Sequence, residues 1–171
     1  AGFNNRRSNI VAIGDSALFN NGTGATAVEA LRNTAIGSKA LYLNTTGYGN
    51  TSTGYNALKG NTTGFNNTAM GDSALQRLLA GNDNVAIGVN ASSQNLNGVR
   101  NVAIGNGALY TNFNSNNVAI GYNAGYNEGG SSKLYIENTN ADKDNALIYG
   151  DFAADSLNLN ADVTIRDFTR L

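Results

Sequence analysis

Small residues alternate with bulky ones in short runs that recur along the chain: Val11-Ala12-Ile13, Thr34-Ala35-Ile36, Thr51-Ser52-Thr53, Thr68-Ala69-Met70, Val85-Ala86-Ile87, Val102-Ala103-Ile104 and Val118-Ala119-Ile120. Mostly β-branched flanks around a small centre predict a three-residue strand. Its first and third side chains share one face and the small residue takes the other. Each run stops at a glycine: Gly14, Gly37, Gly54, Gly71, Gly88, Gly105 and Gly121, always with alanine three residues later. The intervals between these glycines are 23, 17, 17, 17, 17 and 16 residues. So regular a period predicts a solenoid, each copy one coil resting on the last. Function is then expected in a repeated surface rather than in a pocket.

Asn33, Asn50, Asn67, Asn84, Asn101 and Asn117 stand four residues before the glycine; only the first copy departs, with Ile10 there and Asn9 one place earlier. Coils stacked about 4.8 Å apart would let these amides form a hydrogen-bonded ladder along the axis. Leu18, Leu41, Leu58, Leu75 and Leu109 follow the alanine, with Ser92 and Gly125 as exceptions. A second glycine lies seven residues before the first at Gly47, Gly64, Gly81 and Gly98. Two corners per coil predict two short strands per turn, the second beginning at the Ala-Leu pair, which is also expected to help fill the thin core. The first interval carries about six surplus residues within Asn20–Arg32; the helix-forming composition of Ala25–Leu31 predicts a projecting loop or single helical turn. The reading is an all-β chain: a parallel β-solenoid over residues 1–130 and a short β-rich capping segment over 131–171. In that segment Lys133–Asn138 and Ala146–Phe152 flank a polar turn, and Leu157–Asn160 and Val163–Ile165 predict two more strands.

The phrase Asn-Val-Ala-Ile-Gly-x-x-Ala at Asn84–Ala91, Asn101–Ala108 and Asn117–Ala124 closely resembles the head repeat of trimeric autotransporter adhesins, the YadA-like head. The resemblance spans residues 9–125 and implies a left-handed parallel β-roll, with three chains side by side in a homotrimer. The Thr-Thr-Gly-Tyr/Phe connectors at Thr45–Tyr48 and Thr62–Phe65, the longer coils and the tail depart from that pattern. The tail resembles segments that follow such repeats in bacterial surface proteins and phage-type tail fibres. Three thin rolls would each bury little core, so the shared interface is expected to supply much of the stability, with the small Ala face and the Leu column as its contents.

Composition narrows the chemistry. The chain has no Cys, His or Trp, which removes disulfides, thiolate metal sites and histidine acid–base catalysis. Few charges, no proline and an Asn/Gly/Thr-rich chain with a strict period read as ordered rather than disordered. Residues 1–127 hold seven Lys/Arg against four Asp/Glu, and residues 128–171 hold four against eight. Neither part is basic enough for a nucleic-acid groove. No apolar run is long enough for direct membrane insertion. Ala1 opens within a repeat-like segment, so a piece of a longer polypeptide is expected.

Several motifs carry weaker readings. Gly22–Ala27 formally matches a dinucleotide-binding G-x-G-x-x-A but lacks the surrounding βαβ unit, so a plain loop is expected. Asp142, Asp144, Asp151, Asp155 and Asp162 match no calcium-loop spacing and read as solvated carboxylates. Thr34, Thr51 and Thr68 give way to Val85, Val102 and Val118, which breaks any ice-matching threonine array. No cofactor is expected. The candidate binding residues are aromatic: Tyr42, Tyr48, Tyr55, Phe65, Tyr110, Tyr122 and Tyr126 recur at matching repeat positions, where they either contact sugars or receptors or brace coil corners. The sequence points to a non-enzymatic extracellular fibre or head that holds a surface glycan or protein receptor, on a bacterial surface. The alternatives are a receptor-binding or spacer segment of a phage or contractile-injection tail fibre and, from the enzyme class, a glycan depolymerase.

Overall fold

A computed structural model describes residues 1–2, 8–26 and 29–161. Val163–Ile165 and Asp162, as well as Ala27 and Val28 of the insertion, lie outside these residues. The chain is an all-β solenoid built on one ten-stranded sheet whose strands follow sequence order. The strands are β1 (Val11–Ile13), β2 (Thr34–Ile36), β3 (Thr51–Thr53), β4 (Thr68–Met70), β5 (Val85–Ile87), β6 (Val102–Ile104), β7 (Val118–Ile120), β8 (Lys133–Ile136), β9 (Ile148–Asp151) and β10 (Ser156–Leu159). From β1 to β8 every pairing is parallel, and the small central residues stack in one register, Ala35 on Ser52, Ser52 on Ala69, Ala69 on Ala86. β9 and β10 then reverse as antiparallel strands, so the sheet continues unbroken from the repeats into the tail.

Among the described residues the second strand per turn is absent. The Ala-Leu pair lies in a turn in which every other residue is left-handed: in the copy starting at Gly54, Asn56 has φ 56° and Leu58 has φ 50°. The chain therefore bends continuously, yet its coil-to-coil pairing persists, as Leu41 N–H donates to Ala57 O at 3.1 Å and Leu58 N–H to Ala74 O at 3.0 Å. Inter-coil hydrogen bonding without strand dihedrals replaces the expected strand. The insertion forms no helix among the described residues. It is a loop of successive turns, with Thr23 N–H donating to Asn20 O, Ala25 N–H to Gly22 O and Glu29 N–H to Thr26 O, and it is tied to the next coil by Gly22 N–H to Thr45 O and Ala30 N–H to Thr46 O.

The Leu column fills the core as expected, but neither it nor the Ala face is left for an interface between chains. Ala35, Ala69, Ala86, Ala103 and Ala119, together with Leu18, Leu41, Leu58, Leu75 and Leu109, are completely buried inside the single chain. Alanine is required there because a roll one sheet thick leaves only a methyl-sized gap beside the leucines. The two columns are used up in the intrachain core and cannot meet a neighbouring chain. The outward-facing residues of the strands form the other face.

The roll closes by an exchange of volumes. Gly125 takes the leucine position in the last copy, and Tyr135 takes the alanine position in β8. A Cβ on Gly125 would stand 3.2 Å from the Tyr135 ring, so the tyrosine occupies the missing leucine's space. Its hydroxyl donates to Glu128 Oε2 at 2.6 Å. Burial, reinforced by that carboxylate, pushes the Tyr135 phenol far above its ordinary range and keeps it neutral.

A second buried asparagine column stands seven residues after the glycine: Asn21, Asn44, Asn61, Asn95 and Asn112. Asn44 Nδ2 donates to Asn21 Oδ1 at 2.7 Å and Asn61 Nδ2 to Asn44 Oδ1 at 2.8 Å. Leu78 interrupts it, and the atoms on either side, Asn61 Oδ1 and Asn95 Nδ2, are buried without partners. Leu78→Asn should supply the missing donor and acceptor. Losing the buried leucine costs about 2–3 kcal/mol, while satisfying two buried polar atoms returns about 1–3 kcal/mol each. Denaturant unfolding should therefore show this variant losing no more than about 1 kcal/mol against wild type. Leu58→Asn, which only buries a new unpaired amide, should lose about 4 kcal/mol or more.

Candidate functional site

The turn that follows each strand decides which side chains share a corner of the roll. Left-handed residues at the second and fourth places after the glycine bring the first, second and fifth places together on the outside. Tyrosines and asparagines accumulate there in the last two copies. Asn90, Asn106, Tyr110, Tyr122, Asn123 and Tyr126 surround a cleft of about 310 Å³, with Gly107 among them. Tyr110 and Tyr126 are stacked, with ring centroids 4.8 Å apart and 13° between planes. Tyr122 stands half exposed at 54%.

Backbone groups in this corner are paired. Gly107 N–H donates to Val89 O at 3.0 Å and Asn123 N–H to Asn106 O at 2.8 Å. Tyr110 is held from the neighbouring coil, its hydroxyl accepting from Gln94 Nε2 at 3.4 Å, and Gln94 in turn accepts from Arg77 at 2.6 Å. No charged side chain lines the cleft. The stack is thus a rigid aromatic wall beside neutral amides.

The other candidate aromatics are placed as separate pairs. Tyr48 and Phe65 stack at 4.9 Å with 1° between planes, and the Arg32 guanidinium lies 6.0 Å from the Tyr48 ring centre. Tyr42 stacks on Phe19 at 5.3 Å. These pairs brace successive coils. Tyr55 is half exposed at a corner of its own. The structure therefore brings Tyr110, Tyr122 and Tyr126 together and keeps Tyr42, Tyr48, Tyr55 and Phe65 apart from them.

No family model, no curated protein and no solved structure matches this chain.

The repeat glycines and asparagines build the scaffold. Gly14, Gly37, Gly54, Gly71, Gly88, Gly105 and Gly121 stack in one column with φ between 121° and 135°, a region closed to other residues. The six asparagines of the first column each have an amide that donates to a backbone carbonyl in the next connector, as from Asn50 to Gly64 O at 2.8 Å and from Asn67 to Gly81 O at 2.8 Å. Their Oδ1 atoms accept the backbone N–H one coil on, ending with Lys133 N–H to Asn117 Oδ1 at 2.8 Å. Two of the aspartates serve turns. Asp142 accepts from Asn145 Nδ2 at 2.8 Å, and Asp151 accepts from Ala153 N–H and pairs with Lys133, which holds the Asp151 carboxyl below its ordinary range. Among the described residues, no three carboxylates converge as a metal site and no helix is long and apolar enough to cross a membrane.

A larger groove, about 480 Å³, lies among Leu43, Lys59, Arg77, Leu79 and Leu96. Its arginine is already engaged with Gln94, and the remainder is mainly the flanks of leucines. The tyrosine cleft is the better candidate because its amides point to no internal use.

Proposed function

We propose that this chain is a non-enzymatic, trimeric extracellular fibre or head module that attaches its carrier to a surface. The observation that carries this reading is the outward face of the sheet. Ile13, Ile36, Met70, Ile87, Ile104 and Ile120 are each between 37% and 58% exposed and share one register, with Thr53 standing between Ile36 and Met70. With Val11, Val85, Val102 and Val118 beside them they form an apolar strip, broken at the Thr51–Thr53 rung, that runs roughly 29 Å across seven rungs. A strip of that length in water favours association, and a straight, repeated, self-similar face suits identical copies packed side by side with their axes parallel. Three such rolls make a rod that presents each outer corner three times, so weak contacts gain by multivalency on a dense target.

Light scattering at several concentrations tests this. Wild type should have a native mass near three chains of 17.8 kDa. Ile87→Lys, which puts a charge at the middle of the strip without touching the core, should lower that mass. A single-chain mass in both proteins, with cooperative unfolding, would sink the trimer. The non-enzymatic part fails if incubation with a panel of polysaccharides produces new reducing ends.

A further inference from the structure

The geometry points to the cleft of Tyr110, Tyr122 and Tyr126 as a binding site for one neutral hexose ring of a surface glycan. The inference deepens the adhesive reading and rests on it. Its first support is a missing side chain. The second residue after the glycine is Ser16, Lys39, Asn56, Ser73, Asn90 or Asn123 in six copies, all left-handed with φ between 54° and 59°. In the remaining copy it is Gly107, at φ 68°, which leaves that corner without a side chain of its own. Asn123 Oδ1 lies where a Gly107 side chain would begin, 2.1 Å from the position of a Cβ.

The second support is chemical. A pyranose offers an apolar C–H face and a rim of hydroxyls that both donate and accept. Tyr122 offers a flat exposed surface for the face, and the Tyr110–Tyr126 stack a rigid wall. Side-chain amides of Asn90, Asn106 and Asn123, which have no hydrogen-bond partner among the described residues, offer both donors and acceptors to the rim. With no charge in the lining, a uronate or a phosphate has nothing to pair with. A volume of about 310 Å³ lies at the small end of ligand sites and suits one ring rather than a chain threaded through.

Saturation-transfer NMR on the whole chain, with the methyl glycosides of glucose, galactose, mannose and N-acetylglucosamine and with methyl glucuronoside, tests the site. At least one neutral sugar should receive saturation, and the uronoside should receive least. Tyr122→Ala should weaken the responding sugar about tenfold. Gly107→Asn keeps a residue type that tolerates the left-handed backbone and pushes the Asn123 amide out of its place in the cleft, so it should abolish the signal while circular dichroism stays native. No transfer to any neutral sugar, or transfer unchanged in both variants, would overturn the assignment. So would a fall in native mass in Tyr122→Ala, which would make the cleft a contact between copies. Failure of the sugars with a trimeric mass leaves the fibre reading intact; a single-chain mass removes that reading whatever the sugars do.

Discussion

Gly71→Ala should lower the melting temperature by about 10–20 °C, as followed by far-UV circular dichroism. Gly71 has φ +135°, which an alanine adopts only under strain of about 1–3 kcal/mol. The added Cβ would also stand 2.5 Å from Gly88 O and 2.6 Å from Gly88 C, both backbone atoms. That carbonyl cannot move aside freely, because its coil is held on the one before by Gly88 N–H to Met70 O at 2.7 Å and by Leu75 N–H to Ala91 O at 3.0 Å. Overpacking of a rigid contact costs a further 1–3 kcal/mol or so, and prying two coils apart would spread the damage along the column. About 3–6 kcal/mol is a large share of the stability of a domain this size. Gly129→Ala, where a Cβ meets nothing within 4 Å, should change stability by less than about 0.5 kcal/mol. Equal melting of the two variants would mean that the glycine column is not what sets the coil spacing.

Period, strand and first asparagine column were readable because each rests on one residue type in a fixed place. Val-Ala-Ile before Gly88 can only be a strand that turns at once, and Asn84, Asn101 and Asn117 recur too regularly to be loop polarity. Three features were hidden. Leu58 at φ 50° has no local signal, since leucine is not a left-handed residue; the register of hydrogen bonds with the next coil imposes it. The second asparagine column was interrupted by Leu78 and Glu128, although five of seven copies have Asn seven residues after the glycine, a count that would have found it. The direction of the strand faces was ambiguous too, because alternation tells which residues share a side but not which side is inside. Burial decides it: alanine faces in because leucine already fills the interior. At the candidate site, the tyrosines were legible as recurring aromatics. The inward turn of the Asn123 amide was not, because it is made possible by a glycine at a place where six other copies carry a side chain.

Asn84→Asp should be the most damaging single-atom exchange in the ladder, and its effect should depend on pH. Asn84 is 1% exposed, and its amide uses every bonding position. Nδ2 donates to Asn67 Oδ1 at 3.0 Å and to Gly98 O at 2.8 Å, while Oδ1 accepts from Asn101 N–H at 3.0 Å and Asn101 Nδ2 at 3.2 Å. Exchange of the NH₂ for a carboxylate oxygen turns two attractions into repulsions from Asn67 Oδ1 and Gly98 O, and it places a charge in a core with no cation to meet it. The expected cost near neutral pH is about 4 kcal/mol or more. Both the burial and the two facing oxygens favour the protonated acid, so the introduced carboxyl has a folded-state pKa raised above its unfolded value of about 3.9. Protonation restores one donor. The stability of the variant should therefore be greatest below about pH 4 and should fall as pH rises toward the raised folded-state value, whereas the wild-type ladder has no titrating group. Asn84→Leu separates charge from lost bonding: it leaves Gly98 O and Asn101 N–H without their ladder partners, costs about 3 kcal/mol and shows no such pH dependence. Urea unfolding of both variants at several pH values measures this. A flat difference between them from pH 4 to pH 7 would mean that water reaches the ladder and that the amides are not the sealed seam that joins the coils.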